Sequence, residues 1–117
     1  MYIAMNRFHV LLGEEETFET IWRSRESRLK DVPGYLEFQL LKGPEAEDHR
    51  LYASHTLWES YDDFVAWTKS DAFRLAHAKA SERRQNIYLG GPHFEGFHVI
   101  IAEDGDGVRR EISASAA

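Results

Sequence analysis

The residues in this chain best suited to chemistry are an imidazole, an indole and a carboxamide. His77 lies in a stretch with helical spacing, where Phe73, Ala76 and Ala80 share its side. Ten residues earlier stands Trp67, and near the N-terminus Asn6 interrupts an otherwise apolar strand face. A neutral imidazole in a dry pocket is a good axial ligand for haem iron, and small neighbours such as the two alanines let a flat ring approach the helix closely. An indole can press such a ring from one side, and a carboxamide can donate to a bound oxygen species. Each residue also has an ordinary use: His77 as a structural histidine, Trp67 as helix core, Asn6 as partner to a neighbouring backbone group.

Other chemistries find little support. Cysteine is absent, which removes thiolate nucleophiles, thiolate metal sites and disulfides. No HExxH pair, G-x-S-x-G elbow, P-loop or G-x-G-x-x-G fingerprint occurs. Of the other histidines, His9 and His49 read as exposed, His55 falls in a strand, and His93 and His98 belong to the last strand region.

The elements that must position these residues follow from periodicity. Tyr2 to Leu12 reads as a strand with Tyr2, Ala4, Asn6, Phe8 and Val10 on one face and Ile3, Met5, Arg7 and His9 on the other. A helix follows Gly13 and runs to about Asp31, with Trp22 and Arg25 near one face, until Pro33-Gly34 stops it. Tyr35 to Lys42 and Arg50 to Glu59 read as an antiparallel pair across an acidic turn, with Leu36, Phe38 and Leu40 opposite Tyr35, Glu37, Gln39 and Leu41. Ser60 caps a helix carrying Phe64, Val65 and Trp67, and Ser70-Asp71 opens another from about Ala72 to Arg83. Asn86 to His93 reads as a loop and Phe94 to Ala102 as the last strand.

The order β-α-β-β-α-β predicts an α+β, ferredoxin-like domain, an antiparallel sheet with helices on one face. Residues 1–103 form the domain in this reading, and 104–117 a flexible tail. Ile3, Met5 and Leu57 leave the opposite sheet face too apolar for water, which predicts a symmetric dimer packed sheet to sheet.

Bulk properties set limits on partners. At 117 residues there is room for one domain. A net charge of −6 argues against nucleic acid as partner, whereas Arg23, Arg25 and Arg28 make either a local anion-binding cluster or a solvated helix face. No run is apolar enough to span a bilayer and no signal-peptide pattern opens the chain, so the expectation is a cytoplasmic protein with no membrane partner.

One family shares these features. Asn6, Pro33-Gly34-Tyr35-Leu36-Glu37-Phe38-Gln39-Leu40-Leu41, Trp58-Glu59-Ser60, and the segment from Phe64-Val65-Ala66-Trp67 through Ser70-Asp71-Ala72-Phe73 to Ala76-His77 resemble the IsdG-like haem-degrading monooxygenases of the antibiotic biosynthesis monooxygenase superfamily. The resemblance spans residues 2–102. It implies a dimeric α+β barrel and a haem oxygenase that opens the porphyrin and releases iron, with haem as substrate and cofactor, O2, and an electron donor, either a reductase or a small molecule. It implies His77 as the axial iron ligand, Asn6 as donor to the oxygen activated there, and Trp67 as the side chain that ruffles the porphyrin. Trp22 and Phe73 fall to haem contact and Arg25 to a propionate. A cofactor-free quinol or polyphenol monooxygenase and a non-enzymatic haem carrier are the competing readings.

Overall fold

The computed structural model describes residues 1–25, 29–71, 73–75 and 86–112. Four strands build the main sheet: β1 (Tyr2–Leu11), β2 (Tyr35–Glu45), β3 (His49–Trp58) and β4 (His93–His98). Their order is β2-β3-β1-β4 and every pairing is antiparallel, the ferredoxin-like arrangement. Helix α1 (Glu15–Ser24) and helix α2 (Tyr61–Thr68) cover one face.

Alternation along β1 sets that face. Tyr2, Ala4 and Val10 are buried beneath the helices, and the register places Trp58, Thr56, Ser54 and Tyr52 of β3 directly beside Tyr2, Ala4, Asn6 and Phe8. The core divides into two clusters. One joins Val10, Phe18, Tyr52 and Ile87, with Phe8, Ile21, Trp22, Leu40 and Tyr88 packed around them. The other joins Tyr2, Ala4 and Trp58 with Val32, Tyr35, Phe64 and Trp67.

Local detail departs from the sequence reading in several places. α1 ends at Ser24 rather than near Asp31, and a short 3-10 turn spans Leu29–Asp31. The break leaves Ile21 and Trp22 on the first cluster while Leu29 and Val32 reach the second. A register shift in β2 between Tyr35 and Glu37 puts Tyr35 on the same face as Phe38, where it meets the Trp58 ring edge-on at 5.9 Å. Strict alternation had placed the two rings on opposite faces.

The segment read as a loop after Asn86 is tied into the core. β1 outruns β4, so its last backbone groups need other partners. Ile87 and Leu89 supply them: Leu11 N–H donates to Ile87 O at 2.8 Å and Leu89 N–H to His9 O at 2.8 Å. Ile87 is buried as a result. The last strand stops at His98 instead of Ala102, and β5 (Ile101–Glu103) pairs with β6 (Arg109–Glu111) in a separate hairpin. The hairpin takes in part of the segment the sequence reading left as a tail.

Candidate active site

The site lies where the two core clusters part. Along the helix side of β1, Ala4 belongs to one cluster and Phe8 to the other, with Asn6 between them. Across the sheet at that level run Leu40, Ser54, Asn6 and Phe94, and one row along run Phe38, Thr56, Ala4 and Gly96. Ala4, Ser54 and Gly96 are small. The floor between the clusters is therefore low and partly polar.

The Asn6 side chain makes no hydrogen bond among the described residues, although Asn6 is half-buried. Lacking a protein partner, the amide is left to water or to a ligand. The reading in which Asn6 bonds a neighbouring backbone group thus finds no bond in the structure. Thr56 differs, donating to Ala4 O at 3.2 Å and accepting from the Trp58 indole N–H at 3.1 Å. That pair pins the most enclosed indole of the second cluster.

Aromatic rings wall both sides. On one, Phe94 stacks on Phe64 with centroids 5.8 Å apart and planes at 10°. Phe64 leads on to Trp67 at 6.2 Å, and Trp67 meets Phe73 edge-on at 4.8 Å. On the other, Trp22 stacks on Phe38 at 5.8 Å and 12°, while the Arg25 guanidinium lies 4.4 Å above the Trp22 ring. Phe94 and Phe38 both point to the helix side of the sheet, yet are 52% and 37% exposed. Two phenyl rings left open on the covered sheet face offer flat apolar surface, which we treat as a candidate cleft for a flat apolar ligand.

Backbone devices hold the Trp67 wall in place. Ser60 caps α2, its hydroxyl accepting from Asp63 N–H at 3.1 Å and donating to the Asp63 carboxylate at 2.9 Å. Gly34, at φ 82°, passes so close to that carboxylate that a side chain would collide with it. Glu59 N–H donates to Gly34 O at 2.8 Å, so the Pro33-Gly34 turn and the start of α2 are locked together. Past α2, Phe73 N–H donates to Ser70 Oγ at 3.2 Å, which repeats the capping arrangement.

Of the residues singled out in the sequence, Asn6, Trp67 and Phe73 are joined through Phe94 and Phe64 on one side of the cleft, and Trp22 and Arg25 stand on the other. His77 lies outside the described residues, as does Arg28. Arg23 points away from the cleft, largely exposed and paired with Glu19 at 3.1 Å, as a solvated helix face requires. Phe38, Phe94, Ser54 and Gly96 escaped the sequence reading. The strand register alone reveals them, because each is defined by the residue it stands beside.

The fold is shared by known proteins. The antibiotic biosynthesis monooxygenase family matches residues 1–79, and the chain belongs to it. It is similar to a staphylobilin-producing haem oxygenase of Staphylococcus saprophyticus, 31% identical over 87 residues that cover 74% of this chain and 82% of that protein. A mycobilin-producing haem oxygenase of Mycobacterium tuberculosis is 29% identical over 105 residues, covering 90% and 94% of the two chains. The structure of the haem degrader MhuD from Mycobacterium tuberculosis, with two haems bound in its active site, superimposes with a TM-score of 0.65 at 27% identity, covering 89% of this chain and 100% of that one.

Proposed function

We propose that this protein is a haem-degrading monooxygenase that binds haem in the cleft between the two aromatic clusters and opens the porphyrin ring, releasing iron. The observation that carries this reading is the half-buried Asn6 amide, unpartnered among the described residues, on a floor of small residues between rings left open to solvent. A porphyrin needs that combination: flat apolar walls and one donor directed at its centre. The haem oxygenases among its relatives support the same activity. Those relatives do not favour the cofactor-free monooxygenase or the haem carrier.

Haem is both the substrate and the source of the iron that activates O2, with electrons from an external reductase or small-molecule donor. The chain positions, strains and shields. Asn6, on the helix side of β1 between the two clusters, would supply the NH2 that stabilises negative charge developing above the ring. Trp67 is backed by Trp58 at 5.4 Å and Phe73 at 4.8 Å, so it can push on a porphyrin without yielding. Phe38 and Phe94 exclude water from the faces they cover. Arg25, held over Trp22, is placed to meet a propionate. His77 is assigned as the axial ligand by resemblance alone.

The assembly is a homodimer in this reading. Leu41 and Phe97 stand 38% and 46% exposed on the uncovered sheet face or its edges, beside Met5, Leu51 and Leu57. A second copy buries this surface. No helix among the described residues is long and apolar enough to cross a membrane, and a cytoplasmic location belongs to this proposal.

Adding haemin to the haem-free protein tests the function. A shifted Soret band is expected, followed by its loss and the appearance of chelatable iron when an electron donor is supplied in air. His77→Ala abolishes the shift. An unchanged spectrum on adding haemin, or in His77→Ala a spectrum like the wild type's, overturns the assignment.

A further inference from the structure

The hydroxyls on the helix side of β3 have protein partners, with one exception. Tyr52 OH donates to Glu19 at 2.5 Å, and Thr56 Oγ1 donates to Ala4 O at 3.2 Å while accepting the Trp58 indole N–H at 3.1 Å. Ser54, two residues from each, makes no hydrogen bond among the described residues. It is only 8% exposed, so more than nine-tenths of it is covered. Its oxygen is nevertheless not among the polar atoms sealed off without a partner, so the little surface Ser54 keeps includes that oxygen. A serine so placed adds nothing to the fold that alanine would not.

The strand register decides what lies beside it. Ser54 stands directly opposite Asn6 in the β1–β3 pair, and side chains paired in this way hold their Cβ atoms about 4.5–5.5 Å apart. Leu40 flanks Ser54 in the same row and Phe94 flanks Asn6. The row therefore carries a hydroxyl and a carboxamide side by side between two apolar side chains. Neither has a partner among the described residues, they do not bond each other, and neither is sealed from solvent. An amide NH2 and a hydroxyl can both donate, so the pair is placed to share one small acceptor.

Building on the haem reading above, we infer that Ser54 is a second hydrogen-bond donor of that site, acting beside Asn6 on a small ligand held over the ring. The ligand class is a short anion or oxygen species able to accept two hydrogen bonds. Ser54 thereby sets which small ligands the site favours, since one that accepts hydrogen bonds poorly gains nothing from it.

Azide binding to the ferric haemin complex of the full-length protein is the test, compared with CO binding to the reduced complex in the absence of air. Azide is an anion and accepts hydrogen bonds strongly, whereas CO accepts them poorly. In Ser54→Ala, azide affinity should fall about tenfold, with haemin and CO affinity unchanged. Ser54→Thr, which keeps the hydroxyl, should restore azide binding. A merely structural serine would move haemin affinity or Tm and treat azide and CO alike. Should the threonine methyl disturb the fold by circular dichroism, Ser54→Cys, close in shape but a weak donor, should bind azide as poorly as the alanine variant. Unchanged azide affinity in Ser54→Ala, an equal loss for CO, no recovery in a folded Ser54→Thr, or wild-type azide affinity in Ser54→Cys overturns the role of Ser54. If wild-type protein gives a normal Soret shift with haemin, such a failure leaves the haem assignment standing. No Soret shift overturns that assignment and this inference with it.

Discussion

Asn6→Leu separates a functional amide from a structural one, because the two predict opposite signs for stability. Leucine nearly matches asparagine in shape, so the β1 register and its pairing with Ser54 and Phe94 survive the change. A structural asparagine would lose a hydrogen bond and destabilise the fold. Asn6 has no partner to lose among the described residues. Its amide is not among the polar atoms buried without a partner, so no desolvation penalty is relieved, and the gain comes from the apolar contact, worth about 1 kcal/mol, that leucine adds with Phe8 and Phe94. The net expectation is a gain of about 1 kcal/mol, or a rise of roughly 4 °C in Tm for a domain of this size. Activity moves the other way. Losing one donor to developing negative charge costs about 1.5–3 kcal/mol, a fall of roughly 10- to 150-fold in the rate of haem loss. Haemin affinity should hardly change, since the amide acts on the reaction and not on the resting complex. Urea melts, Soret titration and single-turnover decay with a donor measure the three quantities. A variant less stable by 1 kcal/mol or more, whose rate falls only with its folded fraction, refutes the reasoning.

Trp58→Ala removes the largest fully buried side chain, between Tyr35, Phe64 and Trp67, and should cost about 3–5 kcal/mol in urea unfolding. Ser60→Ala deletes the α2 cap at a cost of about 1 kcal/mol; by loosening the turn that aims Trp67, it should also slow haem turnover at unchanged haemin binding. Met5→Arg puts a charge on the uncovered sheet face and should convert dimer to monomer in sedimentation. Glu19 sets the acid side of stability. Its carboxyl is held at about 2 against an ordinary 4.5, first by the Tyr52 hydroxyl that donates to it at 2.5 Å and then by Lys42 at 3.0 Å. A depressed carboxyl contributes fully above its unfolded value, and that contribution disappears as pH falls from about 4.5 toward 2. Urea midpoints should decline over that window in the wild type, and less steeply in Glu19→Gln.

Much of this site is legible in the sequence, for a physical reason. Period-two alternation in β1 forces Asn6 onto the face of Tyr2, Ala4, Phe8 and Val10, and a polar group there is visible as an anomaly in the sequence itself. Trp67 and Trp22 were similarly exposed by helical spacing. The walls were not legible, because they depend on registers between strands distant in sequence. Phe94 belongs to the cleft through its place beside Asn6, 88 residues away. Tyr35 changes faces because of a bulge at Leu36, and nothing in the alternating pattern marks that residue as the extra one. The loop after Asn86 is legible in Gly90-Gly91-Pro92, but its anchoring is not, because Ile87 and Leu89 answer to the unpaired end of β1.

The divided core connects these observations. A sheet face covered by two helices would gain most from one continuous cluster, yet here the two clusters stop short at Ala4 and Phe8 and leave Phe38 and Phe94 partly in water. Small residues sit along this stretch of the sheet: Ala4 and Ser54 are buried, and Gly96 leaves the room that the Tyr2 hydroxyl fills. At Ala4 and Ser54 the small side chain gives up apolar burial worth on the order of 1 kcal/mol or more. The strong anchors sit just outside the gap: Trp58 held through Thr56 on one side, Tyr52 held by Glu19 on the other. Rigidity is thus concentrated at the margins, where it keeps the cleft open while no ligand fills it. A flat apolar ligand entering the gap completes the core, and its binding should raise Tm by more than its polar contacts alone would explain.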